Sequence, residues 1–352
     1  MKFKSAMSDI SVRKWLIHNF ALGLGLGLSL PLTVWAAATT TSSQQAPPRL
    51  ETLVVVGEKN LLSPEAELAL TPGGVTLLDS AELYQRSVTN LADMLRYVPG
   101  MWVASGSAGD STFFSSRGSN LDATNYDGNG IKLMQDGLPV TAADGNNHNR
   151  MIDPLGARSI TVARGANALT YGASTLGGAI DFITPTAHDT KPEIFVSGGS
   201  HGQLQTRLTT GAVAGALDGL ITVEARQWDG YRGHQNQQRE SIYANMGWKI
   251  NAGLHNRLYL TYVNNQQELP GALTKAQFDA NPYQAESAAV SGNFQLNVES
   301  WRIANKTTWD INDVSSFSFG IAYEEQALYH PIVDKVMVDF DGPGPLPPTE
   351  VF

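Results

Sequence analysis

The chain has 352 residues, enough for two domains of ordinary size, with only 16 % charged residues and 34 glycines. Disordered chains are richer in charge, so it is not of that class. The absence of cysteine excludes thiolate metal sites, thiol nucleophiles and a disulfide framework, and a formal charge of −9 argues against nucleic acid as a partner.

The first residues indicate the compartment. Lys2, Lys4, Arg13 and Lys14 form a basic start, and an apolar run over residues 20–34 follows, broken only by Gly, Ser, Pro and Thr. Val34-Trp35-Ala36 and Ala36-Ala37-Ala38 both fit the small-x-small cleavage rule. The run is short for a spanning helix, and Pro31 interrupts it. Residues 1–38 are therefore expected to be a cleaved secretory signal. Removing its four basic residues and one acid takes the formal charge from −9 to −12. No later stretch approaches the roughly eighteen apolar residues of a spanning helix. A secreted chain of this kind is periplasmic, extracellular or an outer-membrane barrel.

Residues 39–74 read as a flexible arm, because 39–48 are polar and Pro-containing with no apolar period. Within the arm, Glu51, Thr52, Leu53, Val54, Val55 and Val56 make a short β-prone run ending at Gly57. Residues 75–185 mix short strands, glycine turns and one clear helix, giving an α+β domain. Leu91, Met94, Leu95 and Val98 share a helical face, Ser87 or Thr89 can cap it, and Pro99-Gly100 stops it.

From residue 186 to 352 the texture changes to strict alternation. Ile221, Val223 and Ala225 point one way, and Thr222, Glu224 and Arg226 the other. Ile242, Ala244, Met246 and Trp248 face away from Tyr243, Asn245 and Lys249, and Phe317, Phe319 and Ile321 away from Ser316, Ser318 and Gly320. Seven such segments start near Glu193, Leu204, Gly219, Glu240, Asn256, Ser300 and Ser315. Each has one apolar and one polar face. In a soluble sandwich the apolar face meets a partner sheet; in a membrane barrel it meets lipid. Trp228, Tyr231, Trp248, Trp301 and Trp309 sit toward segment ends, as aromatic girdles do. The pattern favours an antiparallel transmembrane β-barrel over the sandwich.

At this point the residues resemble a known family, the TonB-dependent outer-membrane receptors of siderophore type. The run 51–56 looks like a TonB box. Leu95 with Pro99-Gly100-Met101 resembles the first plug helix and its exit, and Arg117-Gly118 the family's Arg-Gly step. Asp136-Gly137-Leu138-Pro139 resembles its Asp-Gly-x-Pro hairpin. Arg164-Gly165, Tyr171-Gly172 and Gly177-Gly178 fall in what resembles the plug's terminal signature, and Leu269-Pro270-Gly271 with Asn281-Pro282 resembles a siderophore-receptor loop. The wording is most similar to the ferric-dicitrate group. Thr161 stands where the family usually has Glu, Ala166 where it has Pro, and Asp181 where it has Asn. The first departure puts the plug's usual Arg–Glu pairing in doubt.

The resemblance implies energy-coupled import of a ferric siderophore or ferric chelate across the bacterial outer membrane, without enzymatic chemistry and without a cofactor or bound metal. Haem, cobalamin, another metal complex, an oligosaccharide, or a soluble periplasmic binding sandwich remain as alternatives. Expected partners are a TonB-type periplasmic energy-coupling protein grasping residues 51–56 by strand addition, the small ligand, and outer-membrane lipid, with the complete receptor a monomer. Ligand contacts are expected from apical plug loops: Phe113, Phe114, Arg117, Asn125, Tyr126, Asn146, Asn147, His148 and Arg150, with Arg117 or Arg150 meeting an anionic chelate. With only about a dozen residues between the expected cleavage and residue 51, no folded signalling domain is expected there.

Two further matches are weak. Gly198-Gly199-Ser200-His201-Gly202 fits a nucleophile elbow, but an alternating strand follows where a helix is needed. Asn125 to Asp136 resembles a calcium loop with its first and last ligands changed and no helix after it. Finally, seven strands fall short of the family's twenty-two, and residues 341–348 are too rich in proline for a strand, so the chain is expected to be an N-terminal fragment ending in a loop.

Overall fold

A computed structural model describes residues 74–86, 88–105, 112–119, 130–140, 151–173, 175–331, 336–338 and 349–351. The signal segment, residues 51–56, and the ligand candidates Asn125, Tyr126, Asn146, Asn147, His148 and Arg150 lie outside the described residues.

The first part is built from β1 (Val75–Asp79), α1 (Ser80–Gln85), α2 (Leu91–Leu95), β2 (Met101–Ser105), β3 (Thr112–Ser116), β4 (Ile131–Gln135), β5 (Leu138–Pro139), β6 (Ser159–Arg164) and β7 (Gly178–Ile183). Two 3-10 turns, Pro154–Gly156 and Gly165–Tyr171, flank β6. Five strands form one sheet in the order β1-β6-β7-β4-β5, and β2 and β3 pair as a separate hairpin. Only the β4–β7 pair of the sheet is parallel. Both helices pack on this sheet, with Leu83, Met94, Leu95, Leu133 and Ile160 fully buried in one core.

Side-chain caps set the helix starts. Asp79 accepts from the Ala81 amide at 2.7 Å and opens α1. For α2 the cap is Asn90, one residue beyond the expected Thr89, because Asn90 Oδ1 reaches the Asp93 amide at 2.9 Å. Thr89 instead donates its hydroxyl to the Asp93 carboxylate at 2.7 Å. The sequence pointed to one helix here; α1 is a second, too short to show a period.

The second part is one antiparallel sheet of seven consecutive strands: β8 (Glu193–Gly198), β9 (Leu204–Ala214), β10 (Leu217–Trp228), β11 (Gln237–Lys249), β12 (Leu254–Gln267), β13 (Asn297–Asn312) and β14 (Ser315–Tyr329). Each begins within three residues of its expected start. Two short helices, α3 (Lys275–Ala280) and α4 (Ser287–Ser291), were not expected and sit in the β12–β13 connection. Beyond β14, β15 (Val336–Val338) and β16 (Thr349–Val351) pair as a ribbon on either side of the proline-rich run.

Burial decides between barrel and sandwich. The polar face of the seven-stranded sheet is the buried one: Arg207 and Arg302 are each 3 % exposed, whereas Met246 is 52 % and Ile321 64 % exposed on the other face. A soluble sandwich would bury the apolar face instead. Polar in and apolar out is the arrangement of a barrel wall whose outer face meets lipid. Strands β9 to β14 have 11 to 16 residues, more than the roughly nine to eleven needed to span.

Candidate functional site

The polar inner face of the wall lies against the first domain, and it does so through two clusters of buried charge. The first centres on Arg207 of β9. In register across from it on β10 is Glu224, so the two side chains share a face. Arg207 bridges Glu224, at 3.2 Å, and Asp153, and all three side chains are almost fully buried. Asp153 is held by its own turn, since its Oδ1 accepts from the Leu155 amide at 3.0 Å. Burial pushes the Asp153 carboxyl up, but Arg207, Arg239 and Arg226 outweigh it and hold the group below the usual carboxylate range. Around this centre, Arg226 donates to the Thr89 carbonyl at 2.5 Å, and Tyr243 to the Met151 carbonyl at 3.3 Å. Tyr84 of α1 donates to the Leu155 carbonyl at 3.4 Å and packs edge-on against Phe195 of β8. Burial pushes its hydroxyl up to about 12. Such a centre fixes position more than it adds stability, because desolvation offsets most of the attraction.

The second cluster grips the β4–β5 hairpin. Its two-residue turn is Asp136-Gly137, with φ of 57° and 77°, the left-handed pair that a tight hairpin requires. Asp136 accepts from the Thr184 amide at 3.0 Å and hydroxyl at 2.5 Å. Asp181 of β7 accepts from the Gly137 amide at 3.1 Å. Burial raises the Asp136 carboxyl despite the Thr184 bonds. Burial also raises Asp181, to about 6, with the Asp136 charge adding to it and the Gly137 amide opposing. From the wall, Lys306 donates to the Asp136 carbonyl at 2.7 Å and Arg302 to the Pro139 carbonyl at 3.1 Å. Gly320 of β14 leaves room for the Leu138 side chain.

The remaining sequence-selected residues shape the first domain. Gly100, with φ 79°, follows Pro99 at the exit from α2. Arg117 (φ 53°) and Gly118 (φ 83°) turn the chain after β3, and the Arg117 guanidinium lies over Gly165. Arg164 donates to the Thr76 hydroxyl at 2.7 Å, and burial together with the Arg117 charge lowers its proton affinity. Thr161, where a Glu was to be looked for, faces Leu77 and Asp181 in the sheet. Gly177 and Gly178 both donate to the Gly130 carbonyl, at 2.7 and 3.3 Å, and any side chain on Gly178 would meet the Ala163 carbonyl. Lys132 donates to the Tyr171 carbonyl at 2.8 Å, beside Gly172 (φ 84°). Among the ligand candidates, Phe113 is half-buried on β3, and Phe114 is packed in the domain core, where its ring is not open to a ligand. The Gly198–Gly202 match is the β8–β9 hairpin connection, as the alternation after it required.

A plug-like α+β domain held by the polar lining of an antiparallel wall is the arrangement that the sequence resemblance implied. Residues 67–179 match the family described as TonB-dependent Receptor Plug Domain. Residues 67–179 therefore carry the plug domain of TonB-dependent receptors. This is a family of receptors and transporters, not enzymes. Among curated relatives of the receptor, a hemin receptor of Yersinia enterocolitica is 25 % identical over 265 residues, covering 69 % of this chain and 36 % of that protein. A hemoglobin-haptoglobin utilization protein B of Neisseria meningitidis is 30 % identical over 191 residues, 49 % of this chain and 23 % of that one. The chain thus spans between about a quarter and about a third of the length of these relatives. Among solved structures, the unliganded ferric citrate transporter FecA superposes with a TM-score of 0.61 at 16 % identity, over 74 % of this chain and 41 % of that one. The siderophore receptor PirA from Acinetobacter baumannii gives 0.58 at 15 %, over 79 % and 43 %. These likenesses establish the fold of plug and wall.

Proposed function

We propose that this receptor imports an iron compound across the bacterial outer membrane, drawing energy from a TonB-type periplasmic partner. The observation that carries the reading is a plug held against the polar face of a barrel-like wall by hydrogen bonds and ion pairs. A ligand bound on the outer side would be released inward when force on residues 51–56 rearranges the plug. An extended Thr-Leu-Val-Val-Val segment suits strand addition by the partner, since backbone bonds supply affinity and alternate side chains specificity. A cleaved signal over residues 1–38 would deliver the chain to the outer membrane, where the apolar outer face of the wall meets lipid.

The likeness of wording to the ferric-dicitrate group favours a ferric chelate as the cargo. The hemin receptor similarity favours haem as a second reading. Leu53→Pro tests the mechanism, because it removes a backbone donor and fixes φ in the segment to be grasped. In cells carrying the full-length receptor, uptake of radiolabelled iron is expected to stop while surface binding persists. Unchanged uptake would remove residues 51–56 from the mechanism.

A further inference from the structure

The β4–β5 hairpin and β7 hold one another through two acids. Asp136, on the hairpin turn, accepts from the amide and hydroxyl of Thr184, just beyond β7. Asp181, on β7, accepts from the Gly137 amide of the turn at 3.1 Å. Each carboxylate thus bonds to the segment that bears the other. The Asp136 amide adds a main-chain bond to the Phe182 carbonyl at 3.0 Å. Both acids are 8 % exposed.

Buried acids ordinarily come with a cation. Among the described residues, neither of these carboxylates forms an ion pair. The cations that face them are turned to other partners. Lys306 of β13 donates to the Asp136 main-chain carbonyl, not to its carboxylate. Arg302 of the same strand serves the Gln135 side chain at 3.2 Å and the Pro139 carbonyl at 3.1 Å, with Glu324 of β14 3.9 Å away. Arg257 of β12 is held by Asp218, and Lys132 of β4 by the Tyr171 carbonyl. Tyr259 of β12 stands within electrostatic reach of both acids, and Thr161, across from Asp181 on β6, carries no charge. Two buried carboxyls without a cation of their own resist ionising together, so one of them keeps a proton. Burial and the Asp136 charge accordingly raise Asp181 to about 6, with the Gly137 amide and Lys306 opposing.

We propose that the Asp136–Asp181 pair is a proton-operated latch that seats the β4–β5 hairpin on β7 and on the wall. With one proton held by the pair, the turn is closed and presents the Asp136 and Pro139 carbonyls to Lys306 and Arg302. Loss of that proton to water sets two charges against each other across the turn, and the hairpin lifts from β7. Its wall contacts loosen with it, because both are made to carbonyls of the hairpin. A raised acid is protonated below its folded value, so the latch is closed in acid and opens as pH rises through about 6. Only the consequence for transport rests on the import reading: a plug loosened here yields to force more readily at neutral pH than in acid.

The test is hydrogen exchange of residues 131–140, read by mass spectrometry on the full-length receptor in outer-membrane vesicles at pH 5 and 7.5. Each rate is divided by the intrinsic chemical rate at that pH. In the wild type the hairpin is expected to open about tenfold more often at pH 7.5, while β10 of the wall holds steady. Asp181→Asn keeps the oxygen that accepts from Gly137, and is expected to retain most of its protection at both values. Asp136→Asn, which tolerates the left-handed turn, is expected to shrink the response as well, because either substitution leaves one acid without its pair. Equal protection of the wild-type hairpin at the two pH values overturns the proposal, and so does an undiminished response in either variant. Iron uptake at the same pH values separates the latch from the import reading. A hairpin that opens at pH 7.5 in the wild type, with uptake relative to Asp181→Asn the same at both pH values, leaves the latch standing and removes it from transport.

Discussion

Asp181→Asn is expected to stabilise the receptor at neutral pH and to flatten its dependence on pH. Asp181 is 8 % exposed, on the central plug strand β7, beside the Asp136 carboxylate. Its folded-state value rises from 3.8 to about 6. A raised acid binds its proton more tightly when folded, so stability is greatest below the unfolded value near 4 and declines as pH rises through 6. At roughly 1.4 kcal/mol for each tenfold change in proton affinity, the loss amounts to about 3 kcal/mol above pH 7. Asparagine has the same shape and still offers Oδ1 to the Gly137 amide, so the substitution removes the charge and keeps the hydrogen bond. The assay is denaturant unfolding of the purified receptor in detergent, followed by tryptophan fluorescence between pH 4 and 7.5. The parent is expected to lose stability across that range and the variant to lose less, since Asp136 alone remains as a raised carboxyl of the pair. Parallel pH profiles for the two proteins would refute the assignment of this buried charge.

Arg207→Met leaves Asp153 and Glu224 buried together without their shared cation, and should cost about 3–5 kcal/mol, read as earlier proteolysis of the plug. Gly178→Ala drives a methyl group into the Ala163 carbonyl, and should destabilise by roughly 3 kcal/mol in the same unfolding assay. Asn90→Ala removes the α2 cap and should cost about 1 kcal/mol, measured as a lower denaturation midpoint.

The wall was legible because it is long and two-periodic: β10 alone runs for 12 residues and shows its two faces without any partner. Helix α1 has six residues, and α3 and α4 six and five, less than two turns each, so no apolar period could develop. A local signal for α3 was present, since Thr274 and Gln277 form a capping box. The plug's glycines and the Asp136-Gly137 turn could be placed from motif order, because a left-handed turn restricts residue type. The charge clusters could not. Asp153 and Arg207 are 54 residues apart, and nothing local to either names the other. One half of the centre was within reach, because Arg207 and Glu224 both lie on polar faces of neighbouring strands. Phe114 misled for the opposite reason: a ring near a loop looks available until the fold turns it inward.

The wall's hold on the plug has an evolutionary reading. Arg226, Tyr243, Asn245, Arg302 and Lys306 each donate to a main-chain carbonyl of the plug or of its exit, at Thr89, Met151, Pro185, Pro139 and Asp136. A carbonyl is present whatever side chain the residue bears. Apart from Asp136, whose left-handed turn restricts residue type, plug residues at these points can therefore drift toward a new cargo without loosening the seat, as long as the backbone path is kept. Substitutions in the five donors have no such freedom. Across related receptors, variation should accumulate on the plug side of this seam and stay scarce on the wall side.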